Sequence, residues 1–351
     1  MAHQRRLLGA GTTSSPLGHN FSQNDVGNMD KGIVGLPENA TTLQRDIART
    51  LLYFDVFQHP LRFVEIFKFL PSNSVTEDNI RIACSSEPLN KYFVQKNGLV
   101  CLNDKESEYI EGRRKKELRA RRMWRIAVFM SHLIRRFPFV RGVFISGELS
   151  KGVASKKSDI DFFIITASNR VWITRTLFTL FKKTILFNRK TLFCYNHIMS
   201  DTNLEITDRN IYTAIEASTL RPLYNLQLYR QFMNANSWIK DYLPNSTTFC
   251  GDVVTDENRQ PISERILTML ISRKNLDSID LWLLARWRVL WSRRYNFLSL
   301  EKRKELFRCE SQVSTAYAND SLTRITQAYQ TRLDQFGLTA VGETANNLDT
   351  E

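Results

Sequence analysis

The sequence predicts an α+β fold, and three features carry that prediction. Two short apolar runs, Val143-Phe144-Ile145 and Ile160 to Ile165, flank a turn that begins at Ser146-Gly147. Tyr92-Phe93-Val94 and Leu99-Val100-Cys101-Leu102 flank Lys96-Asn97-Gly98. The stretches on either side repeat apolar residues at helical spacing. Short runs rich in β-branched and aromatic residues fit strands, and Asn-Gly between two of them is the strongest short-range hairpin signal.

Length and composition set the frame. A chain of 351 residues suggests two or three domains, and 42% apolar residues is ordinary for a globular protein. No run of 18 apolar residues occurs, so no membrane span and no membrane partner is expected. Arg5-Arg6 is followed by only two leucines before Gly and Thr, which does not make a signal peptide. The cysteines at 84, 101, 194, 250 and 309 form no Cys-x-x-Cys pair and suggest no zinc site. Reduced thiols and a cytoplasmic location are the simple expectation. The formal net charge of +13 suits a polyanionic partner, nucleic acid or nucleotide, and equally suits a solubilising surface.

Residues 1–39 are rich in Gly, Ser, Thr and Asn and are expected to be disordered. A compact unit follows over 40–104. Thr41 or Thr42 can cap a helix whose apolar face is Leu43, Ile47, Leu51 and Phe54, ending near His59-Pro60. A second helix places Val64, Phe67 and Leu70 on one face, and Thr76-Glu77-Asp78 opens a third. With the hairpin, this order resembles a winged helix. That resemblance implies either nucleic-acid binding through the third helix or a packing module. The acids Glu77, Asp78 and Glu87 favour packing. His59, before a proline at a helix end, reads as structural.

Residues 105–138 read as one long linker helix. Its middle carries Arg113, Arg114, Lys115, Lys116, Arg119, Arg121, Arg122 and Arg125 around most of the circumference. These cations either solvate a linker or contact phosphates beside the core. Trp124, Ala127, Val128, Met130 and Leu133-Ile134 then make a buried stripe, and Pro138 precedes the first core strand.

Residues 139–245 form the core. Asp159 and Asp161 lie two apart at the start of its second strand, so both carboxylates are expected on one face at the sheet edge. Like charges that close are costly unless a cation neutralises them, and oxygen ligands suit Mg²⁺. Strand, Gly147, Glu148, ten residues, then Asp159-Ile160-Asp161-Phe162 resembles the signature of the polymerase-β-like nucleotidyltransferase superfamily. Over roughly residues 45–245 the chain also resembles uncharacterised bacterial nucleotidyltransferase-domain proteins with a similar N-terminal unit.

The resemblance implies a small mixed sheet, a nucleoside triphosphate substrate and Mg²⁺ held by Asp159 and Asp161. It also implies phosphates over Gly147 and Ser158, steadied by Lys151. One position departs from the family. Glu148 stands where Ser or Gly is usual, and a carboxylate there would oppose a triphosphate.

After the second strand, Arg170 to Phe187 reads as a helix and Thr191 to Ile198 as a third strand. The family's third carboxylate would lie on that later strand. None does here, leaving Asp201, Glu205 or no residue for the role. Residues 208–240 repeat apolar residues at helical spacing and are expected to be helical throughout. A polar connection over 246–262 leads to a helical C-terminal segment, 263–335. There, Arg286, Arg288, Arg293 and Arg294 interleave with Trp282, Trp287 and Trp291. Such a pattern can stack on bases, or it is an amphipathic helix with solvated arginines. Residues 336–351 read as a polar tail. Two functions follow: Mg²⁺-dependent transfer of a nucleoside monophosphate to an acceptor, or a degenerate core that binds nucleotide or nucleic acid without chemistry. The sequence names neither the acceptor nor the oligomeric state.

Overall fold

The computed structural model describes residues 35–103, 106–247, 260–317 and 320–340. Most of the expected N-terminal disorder, most of the 246–262 connection with Cys250, and the tail beyond 340 lie outside these residues. Described residues at the two ends are packed, so the expected boundaries at 39 and 336 shift. Leu36 is buried and its N–H donates to the Phe336 carbonyl, while Phe336 and Leu338 are themselves buried.

The N-terminal unit runs α1 (Thr42–Asp55), β1 (Leu61–Arg62), α2 (Phe63–Phe69), α3 (Glu77–Ser85), α4 (Leu89–Tyr92), β2 (Phe93–Lys96) and β3 (Leu99–Leu102). Thr41 caps α1 in a capping box with Gln44, and Thr76 caps α3 in another with Asn79. Asn97 and Gly98 both take positive φ, 53° and 74°, as the two-residue hairpin turn between β2 and β3 requires. The three strands pair antiparallel in the order β1-β3-β2. The buried face of α2 is Phe63, Ile66 and Phe69; Val64 is exposed.

The long helix α5 spans Glu106–Ile134. Its basic middle is not uniformly solvated. Arg113 is only 1% exposed. Its guanidinium donates to both carboxylate oxygens of Glu65 (2.8 and 2.7 Å), to Glu117 (2.9 Å) and to the Pro60 carbonyl, and lies against His59. Lys116 reaches the Phe57 carbonyl and Arg119 the Ala154 carbonyl. Three of the expected surface cations therefore fasten α5 to its neighbours. Arg114, Lys115, Arg121, Arg122 and Arg125 remain exposed.

The core follows as β4 (Val140–Ser146), α6 (Gly147–Ser150), β5 (Asp161–Thr166), α7 (Val171–Thr184), β6 (Cys194–Ser200), α8 (Ile211–Ser218), β7 (Arg221–Tyr224), α9 (Leu226–Ala235) and α10 (Ile239–Tyr242). The C-terminal part adds α11 (Ile262–Leu270), α12 (Arg273–Arg294), α13 (Leu300–Leu306), β8 (Val313–Thr315) and α14 (Ser321–Gln335). Five strands form one mixed sheet, order β7-β4-β5-β6-β8, in which only β5 and β6 run parallel. Two of these strands depart from the sequence reading. The expected helix over 208–240 is broken by β7, and the expected all-helical C-terminal segment contains β8. Pro222 is tolerated in β7 because that strand is an edge.

Strand alternation sorts side chains to two cores. Phe144, Phe163, Ile165 and Met199 face the N-terminal unit, the helices after β6, and α14. Val143, Ile145, Phe162, Ile164 and Ile198 face α5, α7 and α12. The first core is continuous from the N-terminal unit to α14. Tyr53 meets Tyr329 edge to face, and Arg332 donates to Asp55 at 2.6 Å. The interleaved C-terminal arginines and tryptophans also divide. Trp291 is buried and Trp287 partly buried, with the Arg175 guanidinium over both rings. Trp282 is exposed, with Arg286 over its face.

Candidate functional site

The candidate site is the corner where β4 ends and β5 begins. Apolar β4 ends at Ser146, and the chain turns at Gly147, whose φ of +69° is one that a side chain would strain. One turn of helix and a polar loop lead back to Asp161, which pairs with Ser146 on one side and Cys194 on the other. Asp159 lies just before the strand rather than in it. The backbone there is fastened by Ile160 N–H to the Thr191 carbonyl at 3.1 Å and Cys194 N–H to the Ile160 carbonyl at 3.0 Å. Both aspartates are buried.

Charge is concentrated at this corner. Burial holds the Asp161 carboxyl well above the usual carboxylate range, and the Asp159 charge pushes the same way. A bond from the Cys194 thiol opposes this, and Glu216 and Glu148 add to the rise. Asp161 Oδ1 and Glu216 Oε2 are buried and have no hydrogen-bond partner among the described residues. An oxygen donor set of this kind fits a hard divalent cation, which commonly takes one or two carboxylates and fills its shell with water and phosphate. Among the described residues, no group of three or more His, Cys, Asp or Glu side chains is arranged to hold a metal ion.

Asp161 opens onto a cavity of about 1050 Å³. Ser146, Phe163, His197, Tyr212, Glu216 and Tyr317 line it nearby, and Arg209, Arg288, Arg303, Lys304 and Arg308 line it further out. A bulge in β6 shapes this wall: Asp161 pairs with Cys194, yet Phe163 pairs with His197. The extra residue sets the His197 ring flat on Phe163, with centroids 4.3 Å apart. His197 Nδ1 meets the Tyr317 hydroxyl at 2.9 Å, and burial lowers the imidazole pKa to about 3, so the ring is neutral.

The other expected site residues gather at the same corner but do not line that cavity. Two of them bond differently from the expectation. Glu148 neither faces open solvent nor stands free to repel phosphate. Its Oε2 accepts from the Ser155 N–H at 2.6 Å and from the Ser158 hydroxyl, so it braces the loop that delivers Asp159. Ser158 also accepts from Ser155 N–H at 2.7 Å. The Lys151 ammonium, expected on phosphate, donates to Glu216 Oε1 at 2.9 Å and to the Gly147 carbonyl at 3.2 Å. Glu148 and Lys151 instead border a cleft of about 20 Å³ with Tyr53, Phe57 and His59. That space holds a water but not a phosphate.

The expected candidates for a third carboxylate are separated from the corner. Asp201 follows β6 at its far end, where its N–H bonds the Thr166 carbonyl at 2.8 Å. Glu205 is exposed at the cavity and pairs with Arg209 at 2.6 Å. Glu216 instead lines the same cavity as Asp161, and its charge adds to the rise in the Asp161 pKa. The sequence holds one signal for it, as Glu216 is the only charged residue in the otherwise apolar and small-polar helix Ile-Tyr-Thr-Ala-Ile-Glu-Ala-Ser.

Among the described residues no helix is long and apolar enough to cross a membrane. In the comparisons with known proteins, no family model, no curated protein and no solved structure matches this chain.

Proposed function

We propose that the chain is a Mg²⁺-dependent nucleotidyltransferase that moves a nucleoside monophosphate from a nucleoside triphosphate to an acceptor hydroxyl. The observation that carries this reading is the buried pair Asp159 and Asp161, with Asp161 and the half-buried Glu216 both lining a cavity large enough for a nucleotide. Buried like charges cost stability, and a cation that serves the reaction removes that cost. Asp159 and Asp161 would hold the ion. When bound, Mg²⁺ supplies the positive charge that offsets the triphosphate and the leaving oxygen. Glu216 would take the proton from the acceptor hydroxyl. The acceptor oxygen then bonds the α-phosphorus while the bond to the departing pyrophosphate breaks. Ser146 and Gly147 shape the turn, and Glu148 with Ser158 keeps the Asp159 loop in place.

The N-terminal unit has the element order of a winged helix, and we read it as a packing module. Arg81 of its third helix lies over the Phe63 ring at 4.2 Å rather than standing free.

A second reading is favoured by the internal commitment of Glu148 and Lys151: a core that binds nucleotide without turnover. One experiment separates the two. Purified protein is given each triphosphate with Mg²⁺ or Mn²⁺, and pyrophosphate is measured. Release that is lost in Asp161→Asn and Glu216→Gln supports transfer. Saturable nucleotide binding with no release supports the second reading. Neither binding nor release sinks both.

A further inference from the structure

We infer that the outer face of α11 and the adjoining start of α12 is a contact surface for an anionic lipid bilayer, which it touches without crossing. Charge is segregated on these helices. Every acid is engaged with the rest of the molecule. Glu264 accepts from Arg141 (2.6 and 2.8 Å) and from the Phe139 N–H (2.8 Å). Asp280 accepts from the N–H groups of Trp172 and Ile173 (2.9 and 2.8 Å). Asp277 pairs with the buried Arg170 at 2.5 Å. All the arginines and the lysine of the two helices are exposed, among them Arg265, Arg273 and Lys274. Apart from Asp277, whose side chain is paired yet 41% exposed, the outer charge is therefore positive.

The apolar residues on this face stand proud. Ile262, Ile266, Met269 and Leu270 fall on one helical stripe and are 76%, 53%, 87% and 78% exposed, and Trp282 on α12 is 60% exposed. Protruding aliphatic side chains among cations, with a tryptophan nearby, is the make-up of a helix lying in a headgroup layer. A second copy docked through the same face would set cation against cation. Nucleic acid would satisfy the cations but leave four aliphatic side chains in water. The large cavity includes no residue of α11, so these side chains project outward rather than border it. The inference is independent of the nucleotidyltransferase reading.

The test is sedimentation of the full chain with vesicles of phosphatidylcholine, with and without phosphatidylserine. Binding is expected only to the anionic vesicles, weakening as salt rises. Each cation near such a surface is worth about fivefold in affinity, so Arg265→Gln, Arg273→Gln and Lys274→Gln together should lower it on the order of a hundredfold. Met269→Gln with Leu270→Gln should also weaken it. These positions are exposed, so the melting temperature should hold; if the Met269 and Leu270 variant melts early, the charge variant decides. Equal binding to neutral and anionic vesicles, unchanged binding in the charge variant, or no binding overturns the inference. So does a mass that doubles with concentration and reverts in the Met269 and Leu270 variant.

Discussion

Replacing Arg113 with Gln separates a structural cation from a phosphate-binding one. Gln has nearly the helix propensity of Arg, so α5 itself should be indifferent. What is lost is a two-oxygen contact to Glu65, a bond to Glu117 and a bond to the Pro60 carbonyl. Removing one partner of a buried ion pair costs about 3–5 kcal/mol. Two features pull this case toward the low end. Glu65 and Glu117 have side chains 22% and 26% exposed, so water reaches both. Arg62 also serves both carboxylates, donating its N–H to Glu65 and its guanidinium to Glu117, each at 2.7 Å. The expected loss is about 3 kcal/mol, or roughly 6–12 °C in melting temperature for a domain of this size. The neighbouring Arg114→Gln, on the exposed side of the same turn, should stay within about 0.5 kcal/mol. Urea unfolding of the two variants beside the parent is the assay. If Arg113→Gln unfolds with the parent and instead alters polyanion binding, the buried-tie account is wrong.

Three further outcomes are expected. Asp161 has a folded pKa raised above its unfolded one, so its charge destabilises the fold progressively as pH climbs through the carboxylate range. Asp161→Asn should therefore melt higher than the parent at pH 7, with the gap shrinking near pH 4. Mg²⁺ should raise the parent's melting temperature but not the variant's; a variant that melts lower at pH 7 would refute the assignment. Glu148→Ser removes a charged acceptor from Ser155 and Ser158 and should cost roughly 2–3 kcal/mol without strengthening triphosphate binding; a gain in affinity, read by titration, would restore the phosphate-blocking role. If the exposed stripe of Arg114, Arg121, Arg122 and Arg125 meets nucleic acid, replacing all four by Gln should flatten the salt dependence of binding to a short RNA by about 0.7 per lost contact. An unchanged slope in fluorescence anisotropy would remove that helix as a nucleic-acid contact.

What the sequence by itself determined is local. The Asn97-Gly98 hairpin, the Thr41 and Thr76 caps and the turn at Gly147 each follow from a backbone requirement that few residues meet. The strands β4 and β5 were readable because both their faces are buried and their apolar runs are unbroken. The pairing of strands and side chains was decided by tertiary structure. The strands β7 and β8 are short edges whose identity comes from their neighbours, and Pro222 with the helical spacing around it concealed β7. Asp201, Glu205 and Glu216 are all acids within one stretch, and only the tertiary fold puts Glu216 on the wall of the cavity that Asp161 lines, close enough for its charge to raise the Asp161 pKa. The same holds for Glu148, Lys151 and Arg113. Sequence shows a charge but not its partner: for Arg113 and Lys151 the partner lies 48 and 65 positions away, and for Glu148 it lies 7 and 10 positions on, in a loop whose turn the tertiary structure sets.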